Sequence, residues 1–548
     1  MSEEATVPKS SFSWPCSRLE EVAYELGDEF IAYCLDLPRL PQDESSLSPN
    51  KRQVLEEVSN LVTSMRLTPL PIRALSVSEW LTTPNAEGLT PPQVWRIQSD
   101  GVLPVVTSSE DGLLTELAKV GLQVFPYKAL AEPYVGEGSG SFSRVAVPMS
   151  KRSELARLIV RDRSLGQLFG DTPPDVEISE SDLFNRGTTL YFNNGNGFGV
   201  QAIMLPESIL NNAFASLLLT NVEEAADFGK FEEHLSRVLE ESRALARREV
   251  VKVVRVVGFH GVQLEESLAV GEFRIRPTRP TDTLAFNQIS TGGYASAVLE
   301  ARRPLQILAA DADLFEPPEG ESDPFAKTRP HQEEVERSNA GWTDKVENVR
   351  LACALSSPDY ESMIAPVVLF EAELNPLSHS QSLAYRLVPV SFHPQVKLDR
   401  VRAGKATEWL GVVGANISPS IRIAGRRLLT ALTERSDPTD AFVDALVAWE
   451  SLFGTGTEVS FRVSAALAAL LEPVDMDARR AVYKELKRLY GLRSRLVHGS
   501  ADLAPSEAET HRRRACEVAL QATQRVLKTA TLAPMKAEER SDRLLFGI

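Results

Sequence analysis

From residue 417 to about residue 530 the chain repeats one pattern five times: an apolar-periodic stretch, then a short break. The stretches read "SPSIRIAGRRLLTALTER", "DPTDAFVDALVAWESLF", "TEVSFRVSAALAALLE", "MDARRAVYKELKRLYGLRSRLVHG" and "SEAETHRRRACEVALQATQRVLKTATL". Apolar residues spaced three and four apart give each stretch one face that must leave water, which is the pattern of an amphipathic helix. Asp437 and Thr439 are competent to cap the second helix, and Gly499 is a natural stop for the fourth. Helices with short connections pack antiparallel against one another, so residues 417–540 are expected to form an all-α bundle.

The rest of the chain does not share that period. At 548 residues it is too long for one core, and domains of about 100–200 residues suggest several. In the first 135 residues, two helical stretches ("SRLEEVAYELGDEFIAYCLDL" and "KRQVLEEVSNLVTSMRL") precede "GVLPVV", "DGLLTELAKVG" and "LQVFPY". The last three read as strand, helix stopped at Gly121, and strand, so residues 1–135 are expected to be an α/β module.

Residues 140–410 read as an α+β middle domain. "TTLYFNNGNGFGVQAIML" carries two β-rich runs around an Asn/Gly cluster, a hairpin pattern, and a long helical stretch follows from Pro206 to about Glu249. "VVKVVRVVGF", "EFRIRPT", "APVVLFEAEL" and "YRLVPVSF" read as further strands. The charged, Pro-bearing segment at about 314–345 interrupts them and is expected to be a flexible insertion. The fold class expected is thus multidomain, with α+β N-terminal and middle regions followed by an all-α C-terminal bundle.

Charge and cysteine content narrow the function classes. A formal net charge of −16 argues against passive, chain-wide binding to nucleic-acid phosphates. The four cysteines, Cys16, Cys34, Cys353 and Cys516, are far apart and suggest neither a zinc knuckle nor a disulfide framework. With no long apolar run and no apolar signal core at the start, a cytoplasmic protein without a membrane partner is expected. No cofactor and no metal are expected.

Between Arg479 and Arg514 the balance reverses: ten Lys/Arg stand against four acids. Inside this basic island lies "LYGLRSRLVHGS", with Arg493 and His498 five positions apart. On a regular helix that spacing turns the side chains about 140° apart and displaces them about 7.5 Å along the axis. They would meet on one phosphate only if the helix end is distorted at Gly499, or if two copies of the helix meet across a two-fold axis. One Arg and one His near a helix C-terminus are also expected simply because cations complement the dipole there.

The chemistry of the pair suits RNA cleavage. A neutral imidazole titrating near ~6.5 can take the proton of a 2′-hydroxyl, and its protonated form can supply one to the leaving 5′-oxygen. A guanidinium offers a permanent fork of donors to the charge developing on the phosphate.

"LRSRLVHG", preceded by "DALVAWESLF" and "TEVSFRVSAALAALL", resembles the HEPN superfamily and, within it, the ApeA-like HEPN domains. The shared features are an acidic residue closing a helix (Glu450), a Glu-x-Ser-aromatic-Arg start to the next (Glu458 to Arg462), and R-x-x-x-x-H followed by Gly. The likeness covers about a quarter of the chain. It implies a helical domain that dimerises and acts as a metal-independent endoribonuclease in phage defence or toxin-like systems, with RNA, including tRNA, as partner and a separate antitoxin or trigger protein as regulator. Carried over by position, Arg493 and His498 are the catalytic pair. Ser494 stands where many members carry Asn, Asp or His. Ser494, Arg495, Glu450, Glu458 and Arg462, with Arg512 and Arg513 after His511, are the supporting or RNA-binding candidates.

Other features carry less chemistry. "GEGSGSF" lacks the Lys-Ser/Thr of a phosphate-binding loop, and Asp311 with Asp313 lacks a third ligand for a metal. His234, His260, His331, His379 and His393 show no ligand spacing, and Trp449 and Tyr490 read as core aromatics. The alternative is a non-catalytic bundle that dimerises or binds RNA while the α+β region recognises a protein or ligand.

Overall fold

The computed structural model describes residues 17–65, 68–69, 76–77, 80–130, 147–170, 176–220, 227–279, 282, 295–310, 329–378, 382–385, 395–415, 418–454, 458–500 and 502–547. The N-terminal part is helical: α1 (Arg18–Leu26), α2 (Asp28–Cys34), α3 (Pro49–Met65), α4 (Pro91–Gln98) and α5 (Gly112–Val124). Ser17 and Glu20 close a reciprocal capping box on α1, and Asp111 caps α5 by accepting from the amides of Leu113 and Leu114.

The two strands expected here are absent among the described residues. "GVLPVV" is unpaired: Val106 packs against the helical core, while Val102 and Val105 are 76% and 84% exposed, so no second strand lies along it among the described residues. "LQVFPY" continues α5 and ends in a 3₁₀ turn, Phe125–Ala129. Gly121 does not stop the helix; it lets α5 approach a neighbour, since a Cβ there would stand 2.5 Å from the Phe231 ring.

These helices share one apolar core with α6 (Met149–Arg161), α7 (Glu180–Asn185), α8 (Leu205–Leu218) and α9 (Phe228–Ala246). At its centre Phe125 meets Phe214, Phe228 and Phe231, with ring centroids 6.1, 5.3 and 5.8 Å away. The long helix expected from Pro206 to Glu249 is the pair α8 and α9, the second capped by Asp227.

The middle region is α+β, as expected. β1 (Gly187–Phe192) and β2 (Gly197–Gln201) form the hairpin, extended by β8 (Ile307–Ala310). A six-stranded antiparallel sheet follows the order β10-β9-β3-β7-β6-β5. It comprises β3 (Val251–His260), β5 (Leu268–Val270), β6 (Phe273–Pro277), β7 (Ala297–Leu305), β9 (Val367–Glu373) and β10 (Ser382–Tyr385). The short strands β4 (Val262–Gln263) and β11 (Val396–Lys397) pair in parallel. Alternation along β3 sends Val257 and Phe259 to one face and Val256 to the other. The first face is covered by α10 (Arg329–Leu355) through Trp342, Val346 and Val349; the second packs on Ala215 and Leu218 of α8. The segment expected to be flexible at 314–345 is therefore helical from Arg329 onward, because Trp342 and the residues after it bury against the sheet. Its earlier part, the end of "YRLVPVSF", Asp311 with Asp313, and "GEGSGSF" lie outside the described residues.

The C-terminal region is all helical. α11 (Arg400–Gly414) leads into α12 (Pro419–Thr433), α13 (Pro438–Phe453), α14 (Val459–Leu471), α15 (Met476–Val497), α16 (Pro505–Lys528) and α17 (Ala537–Phe546). The five expected helices are α12 to α16. α13 is the centre of the bundle, packed against α12, α14, α15, α16 and α17. Trp449 on α13 is fully buried and donates its indole N–H to the Ala515 carbonyl at 3.0 Å. Arg540 of α17 is buried too, and donates to the carbonyls of Leu452 and Met535 and to Ser418 and Ser420, tying the last helix to the start of α12 and the end of α13. Among the described residues no helix is long and apolar enough to cross a membrane.

Candidate functional site

Glu450 lies in the last turn of α13, where the helix dipole opposes a negative charge. Two donors from α15 offset this. The Tyr490 hydroxyl donates to one carboxylate oxygen, and the Arg493 guanidinium stands 3.5 Å from the other. α15 presents both because Asp475 caps its start and Leu486, Leu489, Tyr490 and Leu492 turn its apolar face into the bundle. Burial, followed by the bond to Glu450, pushes the Tyr490 hydroxyl above its ordinary range, so it remains a donor. Arg493 is half-buried, and its Nε has no hydrogen-bond partner.

His498 is the C-cap of the same helix and is exposed. The chain turns back there through Gly499 at φ +67°, with Gly499 N–H donating to Leu496 at 3.0 Å and Ser500 N–H to Arg495 at 2.8 Å. These two bonds are the Schellman pattern, and only glycine adopts its left-handed position without strain. The helix stays regular up to Val497. Gly499 ends it without bending Arg493 towards His498, and within one chain no hydrogen bond joins the two side chains. Arg493 faces α13 while His498 faces solvent. Of the two routes to convergence, only the meeting of two copies is left.

The remaining candidates separate into groups. Ser494 is half-buried and its carbonyl accepts from the His498 amide. Arg495 is exposed and its guanidinium is free of any acidic partner. Glu458 starts α14 at φ +50° and caps nothing with its side chain. Arg462 is committed to Asp542 of α17 at 2.7 Å. Arg512 forms a fork-to-fork pair with Glu509, and Arg513 pairs with Glu361 and lies over the Tyr360 ring. His511 is buried beside Phe442, so it does not extend a surface with the arginines that follow it.

Much of the basic island is thus neutralised internally, since Arg480 also pairs with Asp477 and Arg514 with Glu485. Lys484, Lys487, Arg488, Arg495 and His498 are exposed and, among the described residues, have no ion pair or side-chain hydrogen bond.

Two features escaped the sequence. Tyr490 reads as a core aromatic, and its ring is one, but its hydroxyl orients Glu450; only contact with α13 reveals that. In the middle region His234 lies against Ser216 and Arg237, with Nδ1 3.0 Å from the Ser216 hydroxyl and 2.7 Å from an Arg237 nitrogen. Burial and then the Arg237 charge push this imidazole down to about 4, so near neutrality it accepts from Arg237. Cys34, Cys353 and Cys516 are buried thiols. Among the described residues no three His, Cys, Asp or Glu side chains cluster as metal ligands would.

No protein-family model, curated protein or solved structure matches the chain.

Proposed function

We propose that the protein is a metal-independent endoribonuclease of the HEPN type, acting as a homodimer through its C-terminal bundle in a phage-defence or toxin-like role. The observation that carries the reading is the division of labour on α15. Arg493 is half-buried and held beside Glu450, and His498 stands exposed at the helix end. In the reaction His498 takes the proton from the substrate's own 2′-hydroxyl, the oxygen attacks phosphorus, and the 5′-oxygen leaves with a proton from an imidazolium. Arg493 neutralises the charge that builds on the phosphoryl oxygens. A 2′,3′-cyclic phosphate and a 5′-hydroxyl result, and DNA, lacking the nucleophile, is spared. Because the two side chains diverge by about 140° on a regular helix, the cleft needs a second copy of α15. The N-terminal and middle regions hold this activity in check or release it, with an antitoxin or trigger protein as partner.

The purified full-length chain, incubated with tRNA and messenger RNA in EDTA, is expected to cut RNA, and His498→Ala and Arg493→Ala are each expected to abolish cutting. Absence of cleavage under activating conditions, or full toxicity of both variants in cells, sinks the reading.

A second reading is favoured by one observation. Arg493 is already occupied by Glu450, which suits a non-catalytic bundle that dimerises or binds RNA.

A further inference from the structure

The cations left unpaired on α15 are not scattered. At 100° per residue Lys484, Arg488, Gly491, Arg495 and His498 fall within about 40° of one line along the helix, with Lys487 and Ser494 on its flank. The line ends at His498 and covers about 21 Å. Gly491 keeps it low: the Arg495 guanidinium lies over this residue, 3.9 Å from where a Cβ would stand. The other cations of this region are held: Arg479 by the Glu472 and Pro473 carbonyls, Arg480 by Asp477, Arg493 by Glu450, Arg512 by Glu509, Arg513 by Glu361 and Arg514 by Glu485.

A second, independent feature lies at the far end of the line. Phe461, on the first turn of α14, is 47% exposed although it is a large apolar ring. It stands edge-on to Tyr483 of α15, with ring centroids 6.2 Å apart. Lys487 lies over the Tyr483 ring at 5.7 Å, and Glu458, Val459, Ser460, Phe461 and Lys487 line an open depression. A bundle gains nothing by leaving an aromatic ring in water beside unneutralised cations. An unpaired nucleic-acid strand uses both, since its phosphates meet the cations and a base stacks on the ring.

We infer that the exposed face of α15 is a track for single-stranded RNA. A base seats on Phe461 beside Tyr483, and the phosphate chain runs past Lys484, Lys487, Arg488 and Arg495 towards His498. The assignment of RNA and the direction of travel rest on the nuclease reading; the binding surface itself does not. A duplex lacks the free base that Phe461 requires. The charge of −16 on the whole chain confines phosphate affinity to such a local strip.

The test uses the full-length chain carrying His498→Ala, so that the probe survives, and fluorescence anisotropy with a labelled single-stranded RNA of about 16 nucleotides. Reversing Lys484, Lys487 and Arg488 together to Glu is expected to weaken binding by about tenfold or more and to reduce the log–log salt slope by about 2. Phe461→Ala is expected to weaken binding about fivefold or more with the salt slope unchanged, and Phe461→Trp to restore it. Lys405→Glu, an exposed reversal on α11, leaves binding as it was.

The track is refuted if the triple reversal binds like its parent, or if the same sequence as a duplex binds as tightly. It is also refuted if the reversal alters sedimentation of the protein alone while RNA binding persists, which assigns the face to a second copy. With His498 restored, tight binding without cleavage removes the nuclease reading and keeps the track. Equal cleavage by parent and triple reversal does the opposite.

Discussion

The Glu450 carboxylate of α13 stands 3.5 Å from the Arg493 guanidinium of α15, and its other oxygen accepts the Tyr490 hydroxyl. The three side chains form one unit that spans two helices. Tyr490→Phe removes only the O–H donor, leaving a half-buried carboxylate at an unfavourable helix end with one partner. The loss expected in urea unfolding is about 1.5–3 kcal/mol, the range for a hydrogen bond to a charged group. RNA cleavage falls with it, because Arg493 loses a fixed anchor. A Tyr490→Phe variant as stable and active as the parent would show that the hydroxyl orients nothing.

His498 and Arg493 are expected to part company in stability while agreeing in activity. His498 is exposed, and among the described residues its side chain makes no hydrogen bond or ion pair, so His498→Ala changes unfolding free energy by less than about 0.5 kcal/mol. Arg493→Ala strips Glu450 of the cation it pairs with among the described residues and costs about 1 kcal/mol. Thermal melts of the two variants beside an RNA-cleavage assay check both statements; a destabilised His498→Ala contradicts the first.

Gly499 at φ +67° ties off α15. Alanine there meets no steric neighbour, since nothing lies within 4 Å of the added Cβ, so its cost is the backbone conformation alone, about 1 kcal/mol. The expected result is a small loss of stability and a larger loss of cleavage, with RNA binding retained, as His498 leaves its place. Equal losses in binding and cleavage would place the effect elsewhere.

Acid sensitivity should arise in the middle region. The unfolded chain protonates His234 near 6.5, whereas burial and Arg237 hold the folded imidazole down to about 4. Between those values the unfolded state binds more protons, so stability falls as pH drops through the window and the effect is complete below it. Glu233 works in the opposite direction, and Lys230 and Arg302 reinforce Arg237. His234→Gln is expected to flatten the dependence of Tm between about pH 6.5 and 4; an unchanged slope assigns acid sensitivity to other groups.

Helices α12 to α16 of the C-terminal region were legible because their apolar period is strong and a cap such as Asp437 is local, whereas α11 and α17 were not read. In the middle region the β1–β2 hairpin and the runs that become β3, β6 and β9 were legible from their β-rich composition, whereas β5, β7 and β8 were not read as strands, and "YRLVPVSF" lies outside the described residues except for Tyr385. "GVLPVV" was misread because β-propensity says nothing about a partner strand, and the exposure of Val102 and Val105 shows that none is there. Gly121 was misread because its role is tertiary, the close approach of Phe231. At the site, residue types and the resembling motif singled out Arg493 and His498, which spacing alone set on different helix faces, but which cations are free is decided by carboxylates on other elements. Glu361, 152 positions before Arg513, neutralises it, and no local pattern reveals that.

α10 is rooted in two places at once. Trp342 and Val349 belong to the core beneath the six-stranded sheet, while Leu351 and Leu355 belong to the core of the bundle. Arg350 fastens the junction, donating to the Pro366 carbonyl before β9 and to Thr433 at the end of α12. Leu351 also presses on Gly425, where a Cβ would stand only 2.6 Å away. The sheet and the bundle therefore have no seam between them: any cut that separates the two cores passes through α10 and breaks either the Trp342 packing or the Leu351–Gly425 contact that seats α12.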